Sequence, residues 1–237
     1  MRLTYLIAAH NEVHSLDDLV KNLKSILPRF PAMQVYVIDN ASTDGTSELL
    51  AKLSSENTWL HGISIPDKGM GMAFQHGMRI LRKLKLTKDD WVFFNAADLP
   101  FGFTDLESFV KTQPLHPEVS IFIGSKGHAE SKISRSLKRT LASLVFQWAR
   151  RFLLNMKVRD PQGTIFIRGT FLELVDRIQS RDYFFTTELV YFMQQRSAVI
   201  EMPVVLNPDR RTSKVNLLVD GSKVIHQMQA LRRRKNI

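Results

Sequence analysis

The sequence predicts an α/β domain built on a mainly parallel sheet, and three observations carry that reading. Short β-rich runs alternate with amphipathic stretches of ten or more residues through the first hundred positions, as βαβ units do. Hydrophobic residues make up 44% of 237 positions, enough for an ordinary core. Polar, glycine-containing turns follow each of the first four β-rich runs, and an open parallel sheet binds its ligands at the carboxyl ends of its strands.

The elements follow in order. "LTYLIAA" reads as a first strand rather than a signal peptide, because its apolar run is short and no cleavage-site pattern follows. "SLDDLVKNLKSIL" carries helical periodicity, "MQVYVID" is a second strand, "TSELLAKLSS" a helix and "LHGISI" a third strand. "GMAFQHGMRILRKL" is again helical and "WVFFNA" a fourth strand. The turns between them are "HNE", "DNASTDG", "PDKGMG" and "NAADLP". Taken singly each is ordinary turn chemistry; in this order they favour a pocket for a phosphate-bearing ligand.

The second half differs in character. Residues 132–159 place Ile133, Leu137, Leu141, Leu144, Val145, Trp148, Phe152 and Met156 at helical spacing, with Lys and Arg on the remaining face. A basic amphipathic helix with aromatic residues suits a membrane surface, and a helix packed on the domain is the competing reading. No acidic residue falls between 131 and 159, which favours the anionic surface. The tail adds Arg232, Arg233, Arg234 and Lys235, a cluster of the kind that anionic leaflets attract.

Charge and composition narrow the partners. Lys plus Arg number 33 against 23 Asp plus Glu, a formal charge of +10, which calls for an anionic partner. Nucleic acid lacks support, since neither zinc-finger spacing nor a strand of interleaved basic and aromatic residues occurs. The absence of cysteine removes disulfides, thiolate zinc sites and cysteine nucleophiles. His10 and His14 have the spacing of a helical zinc pair, but no third ligand follows. No apolar run approaches the roughly 20 residues of a membrane-spanning helix, leaving direct surface binding or an anchoring partner protein. The expected location is cytoplasmic, peripheral to the cytoplasmic face of a membrane.

The four strand ends together resemble the family-2 glycosyltransferases. "LIAAHNE" is similar to that family's opening strand and Pro-Ala-Tyr-Asn-Glu turn, with Ala8 and His10 departing from it. "VIDNASTDGT" resembles its second-strand signature, and "DKGMG" its Asn-Lys-Gly-Lys-Gly loop, with Asp67 and Met70 as departures. "NAADL" stands at the Asp-x-Asp position. Further on, "GSKGHAE", "ISRSLKRTL", "RDPQG", "FFTTELVY" and "RRTSKVNLL" are similar to segments of the dolichyl- and polyprenyl-phosphate sugar synthases.

The resemblance implies a single GT-A domain over 1–237, with a nucleotide-sugar half over 1–100 and an acceptor half over 101–237. It implies inverting transfer of a hexose, from UDP-glucose or GDP-mannose, to a polyprenyl or dolichyl phosphate. Ala9, Asn11, Glu12, Asp39, Asn40, Lys68, Ala97 and Asp98 would line the nucleotide sugar. Lys126, Arg135, Arg139, Arg211, Ser213 and Lys214 would hold the acceptor phosphate, and Asp98, Lys126, Arg135 and Lys214 would serve the reaction. Asp160, Gln162 and Glu188 are polar residues in otherwise apolar segments, either site groups or satisfied core groups.

Magnesium or manganese is the cofactor the resemblance implies. A hard divalent cation prefers oxygen ligands, and two carboxylates would neutralise it. Here Ala96 replaces the first acid, Asp98 remains, and Pro100 stands where a further amide ligand is expected. The expectation is a reduced metal site at Asp98, with metal dependence open. Two other readings stay open beside lipid-phosphate transfer: a different glycan or lipid acceptor, and a degenerate protein that only binds nucleotide sugar.

Overall fold

Strand β1, Leu3–Ala9, is buried along its whole length, because its alternation serves two apolar layers. Leu3, Tyr5, Ile7 and Ala9 face one, Leu6 and Ala8 the other. A strand covered on both faces lies inside a sheet. Accordingly β1 pairs in parallel with β2 (Gln34–Asn40) on one side and β4 (Trp91–Ala96) on the other. The computed structural model describes residues 2–132, 137–206 and 217–234, without the side chains of 137–142 and 217–220.

The sheet adds β3 (Leu60–Ile65), β5 (Ile121–Gly124), β6 (Thr164–Arg168) and β7 (Val199–Met202) in the order β3-β2-β1-β4-β6-β5-β7. All strands run in one sense except β6, which is antiparallel to β4 and β5. The expected mainly parallel sheet is therefore present. The reversal of β6 brings the start of β6, at Thr164, beside the ends of β4 and β5 that open on the site.

Helix α1 (Leu16–Ile26) buries Leu16, Leu19, Val20 and Leu23, the i, i+3, i+4, i+7 stripe of an amphipathic helix. Asp17 and Asp18 in its first turn and Lys24 in its last suit the helix dipole. Helices α2 (Thr46–Glu56) and α4 (Thr104–Thr112) cover the same face of the sheet. Beneath them Phe93 stacks on Phe166 at 3.8 Å and Phe166 on Phe109 at 4.2 Å. The opposite face takes α3 (Met70–Lys83), the 3-10 segment Gly169–Arg177, α6 (Phe184–Met193), α5 (Leu137–Leu154) and α7 (Leu217–Arg233).

One expectation from the second half needs correction. The helix covers Leu137–Leu154 within the 132–159 segment: Asn155 turns left-handed at φ 50°, and Met156 is buried beyond the helix end. Phe146, Ala149, Arg150, Leu153 and Leu154 face the core, so the stripe of Leu144, Val145, Trp148 and Phe152 points outward. Those four are 46%, 58%, 72% and 82% exposed. The side chain that meets the core includes a buried arginine, which hydropathy alone assigns to solvent.

Candidate functional site

The ends of β1 and β2 are tied into one unit by Asn40. Its Nδ2 donates to the Ala9 carbonyl at 2.6 Å, and its Oδ1 accepts the Gly69 N–H at 3.0 Å. His10 Nδ1 lies 2.9 Å from the Asn40 carbonyl, so this histidine braces the turn. Asn40 is thus a joint between three strand ends, buried at 3% exposure. Asp39 is equally enclosed, each carboxylate oxygen accepting a hydroxyl, from Ser42 and from Ser47.

Asn11 is the exposed member of this group. Its N–H donates to Ser42 Oγ at 2.8 Å and its Oδ1 accepts the Thr43 N–H at 2.9 Å. Glu12 donates its N–H to Thr46 Oγ1 at 2.8 Å. Asp44 receives the Thr46 hydroxyl and the N–H groups of Val13 and Thr46. Desolvation pushes the Asp44 carboxyl up, but these donors outweigh it and hold the group below its ordinary range. Asn11, Ala41 and Leu99 adopt left-handed backbone at φ 55°, 59° and 43°. For Ala41 and Leu99 this costs about 1–2 kcal/mol each, and such strain gathers at binding sites.

The loop after β3 shows why it is glycine-rich. A Cβ on Gly69 would come 2.3 Å from the Arg181 carbonyl oxygen, and one on Gly71 2.4 Å from that of Ser180. Met72 N–H donates to the Arg181 carbonyl at 3.2 Å and Gln75 Nε2 to the Ser180 carbonyl at 2.9 Å. Only glycine lets the two backbones approach this closely. The loop presents Lys68 as an exposed cation.

At the end of β4, Ala96 is half-buried, Ala97 buried and Asp98 exposed. Asn95 Oδ1 accepts the N–H of Ala96 at 2.8 Å, so that oxygen turns back on its own strand. Asp98 is the one carboxylate of this step. Among the described residues no three His, Cys, Asp or Glu side chains gather closely enough to hold a metal ion. These residues do not fit a two-carboxylate metal centre.

Below this step lies a buried polar group. Asp105 is fully buried, its Oδ1 accepting the Leu106 N–H at 2.8 Å. Burial pushes its carboxyl up to about 7, against the lowering effect of the Thr164 hydroxyl and of backbone N–H groups. The buried Tyr5 Oη and Asn95 Nδ2 have no hydrogen-bond partner among the described residues.

The end of β5 is organised by charged groups. Lys126 Nζ lies 3.3 Å from Asp160 Oδ2 and 5.6 Å from the Phe101 ring centroid, which brings it to the same sheet end as Asp98. The Lys126 N–H also donates to Asp160 Oδ2 at 2.9 Å. Gln162 is exposed, and its carbonyl rather than its side chain faces Lys126. Arg135, Arg211, Ser213 and Lys214 lie outside the described residues, as does the side chain of Arg139.

Two residues that the sequence did not single out complete the cluster. Glu201 accepts the Ser125 hydroxyl at 2.6 Å and the N–H groups of Arg159 and Asp160 at 2.9 and 3.0 Å. Arg150 donates to the Arg159 carbonyl at 2.9 Å. Burial pulls the Arg150 guanidinium below its ordinary value, and Asp160 and Glu201 oppose that. The signal was an acid on a short edge strand and an Arg in an apolar helix, both weak in a sequence.

Residues 4–178 match the family model for glycosyl transferase family 2. Glucosyl-3-phosphoglycerate synthase from Mycobacterium tuberculosis, solved with Mg2+ and uridine diphosphate, is similar in fold. Its TM-score is 0.67 at 16% identity, covering 97% of this chain and 77% of that one. Mannosyl-3-phosphoglycerate synthase from Rubrobacter xylanophilus gives TM-score 0.67 at 16% identity, covering 99% and 74%. A mannosyltransferase from Pyrobaculum calidifontis, solved with GDP-Man and Mn2+, gives 0.54 at 18%, covering 97% and 69%. Among curated sequences, poly-β-1,6-N-acetyl-D-glucosamine synthase of Staphylococcus aureus is 23% identical over 77 residues. That match spans 32% of this chain and 18% of the relative. The seven-stranded sheet and its helices are thus those of GT-A glycosyltransferases.

Proposed function

The chain belongs to glycosyl transferase family 2, and we propose that it moves a hexose from a nucleotide sugar to a polyprenyl or dolichyl phosphate at an anionic membrane surface. The observation that carries the acceptor class is the outward stripe of α5. Leu144, Val145, Trp148 and Phe152 form an exposed apolar face with exposed Arg151 beside it. Apolar side chains of this kind gain by entering the acyl boundary while neighbouring cations meet lipid headgroups. No described helix is long and apolar enough to cross a membrane. Contact through a helix face, or through an anchoring partner, is therefore the mode of association proposed, on the cytoplasmic side.

The chemistry requires little acid–base help. A phosphate monoester with a second pKa near ~6 is largely ionised at neutral pH. Its oxygen attacks the anomeric carbon in line, the bond to the nucleoside diphosphate breaks, and the configuration inverts in a single displacement. No general base has to remove a proton. What the site must supply is cationic positioning of two anions, and Lys68, in the loop after β3, and Lys126, after β5, are the described candidates. Asn11 and Glu12 remain candidates for the nucleoside, while Asp39 and Asn40 shape the turn that presents it. A divalent ion, as in the Mg2+ and Mn2+ complexes named above, would have one carboxylate here, Asp98.

Glucose is favoured over mannose through the resemblance of "GSKGHAE" to the glucosyl branch. The test is transfer of labelled sugar from UDP-glucose or GDP-mannose to a polyprenyl phosphate in detergent, with divalent ion or with chelator. The similar synthases named for 3-phosphoglycerate make that compound the informative parallel acceptor, since it offers the same phosphate without a lipid. A glycolipid product supports the proposal. Transfer to 3-phosphoglycerate alone replaces the acceptor class, and donor binding without any transfer points to a protein that only binds nucleotide sugar.

A further inference from the structure

Arg234 belongs to the basic run 232–235 that the sequence assigns to lipid headgroups, and the structure gives it another partner. Its Nη2 lies 2.7 Å from Oε1 of Glu188. Glu188 is wholly buried in α6, a helix buried along its whole length, and its carboxylate accepts the N–H groups of Gln179 and Ser180 at 3.1 and 2.8 Å and the Ser180 hydroxyl. A buried carboxylate needs a counter-charge, and Arg234 supplies it from α7. Of the expected lipid-facing cluster, Arg232 and Arg233 are exposed, and Lys235 lies outside the described residues.

A second tie runs beside the first. Lys223 Nζ, about three turns earlier in α7, lies 2.6 Å from Asp182 Oδ2, and Gln227 Nε2 donates to the same carboxylate at 3.1 Å. Residues 179–182 are therefore held to α7 at both ends. Their other side is the wall on which the glycine loop packs, through the Ser180 and Arg181 carbonyls already described. Arg181 Nη2 also pairs with Asp67 Oδ1 at 3.1 Å. From Gly69 the contacts continue to Asn40 and the ends of β1 and β2.

We propose that α7 clamps the donor loop: Arg234 and Lys223, acting through Glu188 and Asp182, hold the 179–182 strap against which residues 67–72 are set. Arg234 and Lys223 are positioning residues, more than 100 positions from the loop in sequence and joined to it by consecutive hydrogen bonds. The proposal rests on the reading that the β1–β4 ends hold a nucleotide sugar. It adds that donor binding depends on the C-terminal helix.

The experiment uses the full chain with Lys223→Met, Arg234→Gln and Arg234→Lys, and the double variant Glu188→Gln/Arg234→Gln. The double variant leaves no uncompensated buried charge should Arg234→Gln alone fail to fold. UDP-glucose and GDP-mannose binding is measured by calorimetry, and amide exchange is followed over residues 67–75. Lys223→Met, at an exposed pair, is expected to weaken the better donor roughly 5- to 30-fold. Its donor KM should rise with kcat little changed, exchange over 67–75 should speed up, and Arg234→Lys should restore much of what Arg234→Gln loses. Wild-type donor affinity and wild-type exchange over 67–75 in the folded variants would overturn the clamp. Failure of the wild-type protein to bind any nucleotide sugar would overturn the donor reading instead, and the exchange data would still decide the clamp.

Discussion

The two halves of the sheet solve the same problem differently. Around β1, β2 and β3 the site is shaped by hydrogen bonds between neighbouring turns, without a cation among them, with Asn40 bonded to Ala9 and Gly69, Asn11 to Ser42 and Thr43, and the Asp39 carboxylate to Ser42 and Ser47. Around β5, β6 and β7 it is shaped by charges, with Lys126, Asp160, Arg150 and Glu201 gathered within one cluster. A hydrogen-bonded set of turns holds its shape through directional contacts. A cluster of opposed charges places a cation where an anionic group could be met. The Ala96-Ala97-Asp98 step, at the end of β4, stands at the seam between these two regions, with Lys126 held by Asp160 on one side.

The largest expected effect concerns the buried group beneath that seam. Asp105 keeps its proton to about pH 7 in the folded protein, whereas an unfolded aspartate releases it near ~4. The folded state binds more protons between those values. Stability is therefore fully present below about pH 4, falls as pH rises and is lost through about pH 7, by about 4 kcal/mol in all. Denaturant midpoints measured from pH 4 to 8 should show that decline, and Asp105→Asn should flatten it. An unchanged pH slope in Asp105→Asn would place the effect elsewhere.

Next in size is the exposed face of α5, proposed to meet a membrane. Trp148→Ala with Phe152→Ala removes two side chains that each gain about 1.5–3 kcal/mol on burial, so co-sedimentation with anionic vesicles should fall by roughly 100-fold or more. Because both are exposed in the free protein, the melting temperature should hardly move. Equal vesicle binding by the variant would return α5 to a solvated surface helix.

Asn40→Ala comes third. It removes the joint between three strand ends and leaves the Ala9 carbonyl without that donor, a loss of about 1–3 kcal/mol. Donor affinity should fall more than acceptor affinity, which sharpens the contrast between the two halves. The smallest effect is expected from Ala96→Asp. A second carboxylate at the β4 end should raise stimulation by Mn2+ several-fold, and titration of activity against the ion checks it.

Much of the donor half was legible because its signals are local. The seven-residue burial of β1 and the i, i+4 stripe of α1 both fall within one element, so periodicity locates them within a residue or two. The Asn-Ala-Ser-Thr-Asp-Gly turn is equally local. The acceptor half was legible only as segments. Which face of α5 meets the core depends on α7, and Phe146 lies close to Gly221 of that helix, a contact with no trace in local spacing. Glu188 read as an ambiguous polar residue because its counter-charge, Arg234, comes 46 positions later. Glu201 was missed for the same reason, since it acquires its partners only when β7 closes on the 159–160 turn, and Arg150 because its acceptor is a backbone carbonyl, Arg159, that leaves no mark in the sequence.

The most direct test of lipid-phosphate transfer is product formation on vesicles containing an anionic phospholipid and a polyprenyl phosphate, with labelled UDP-glucose and GDP-mannose supplied in parallel. Glycolipid labelled from one donor, and greatly reduced for the Trp148→Ala/Phe152→Ala protein, is the predicted result. Absence of glycolipid from either donor, with the protein folded and binding nucleotide sugar, would contradict it.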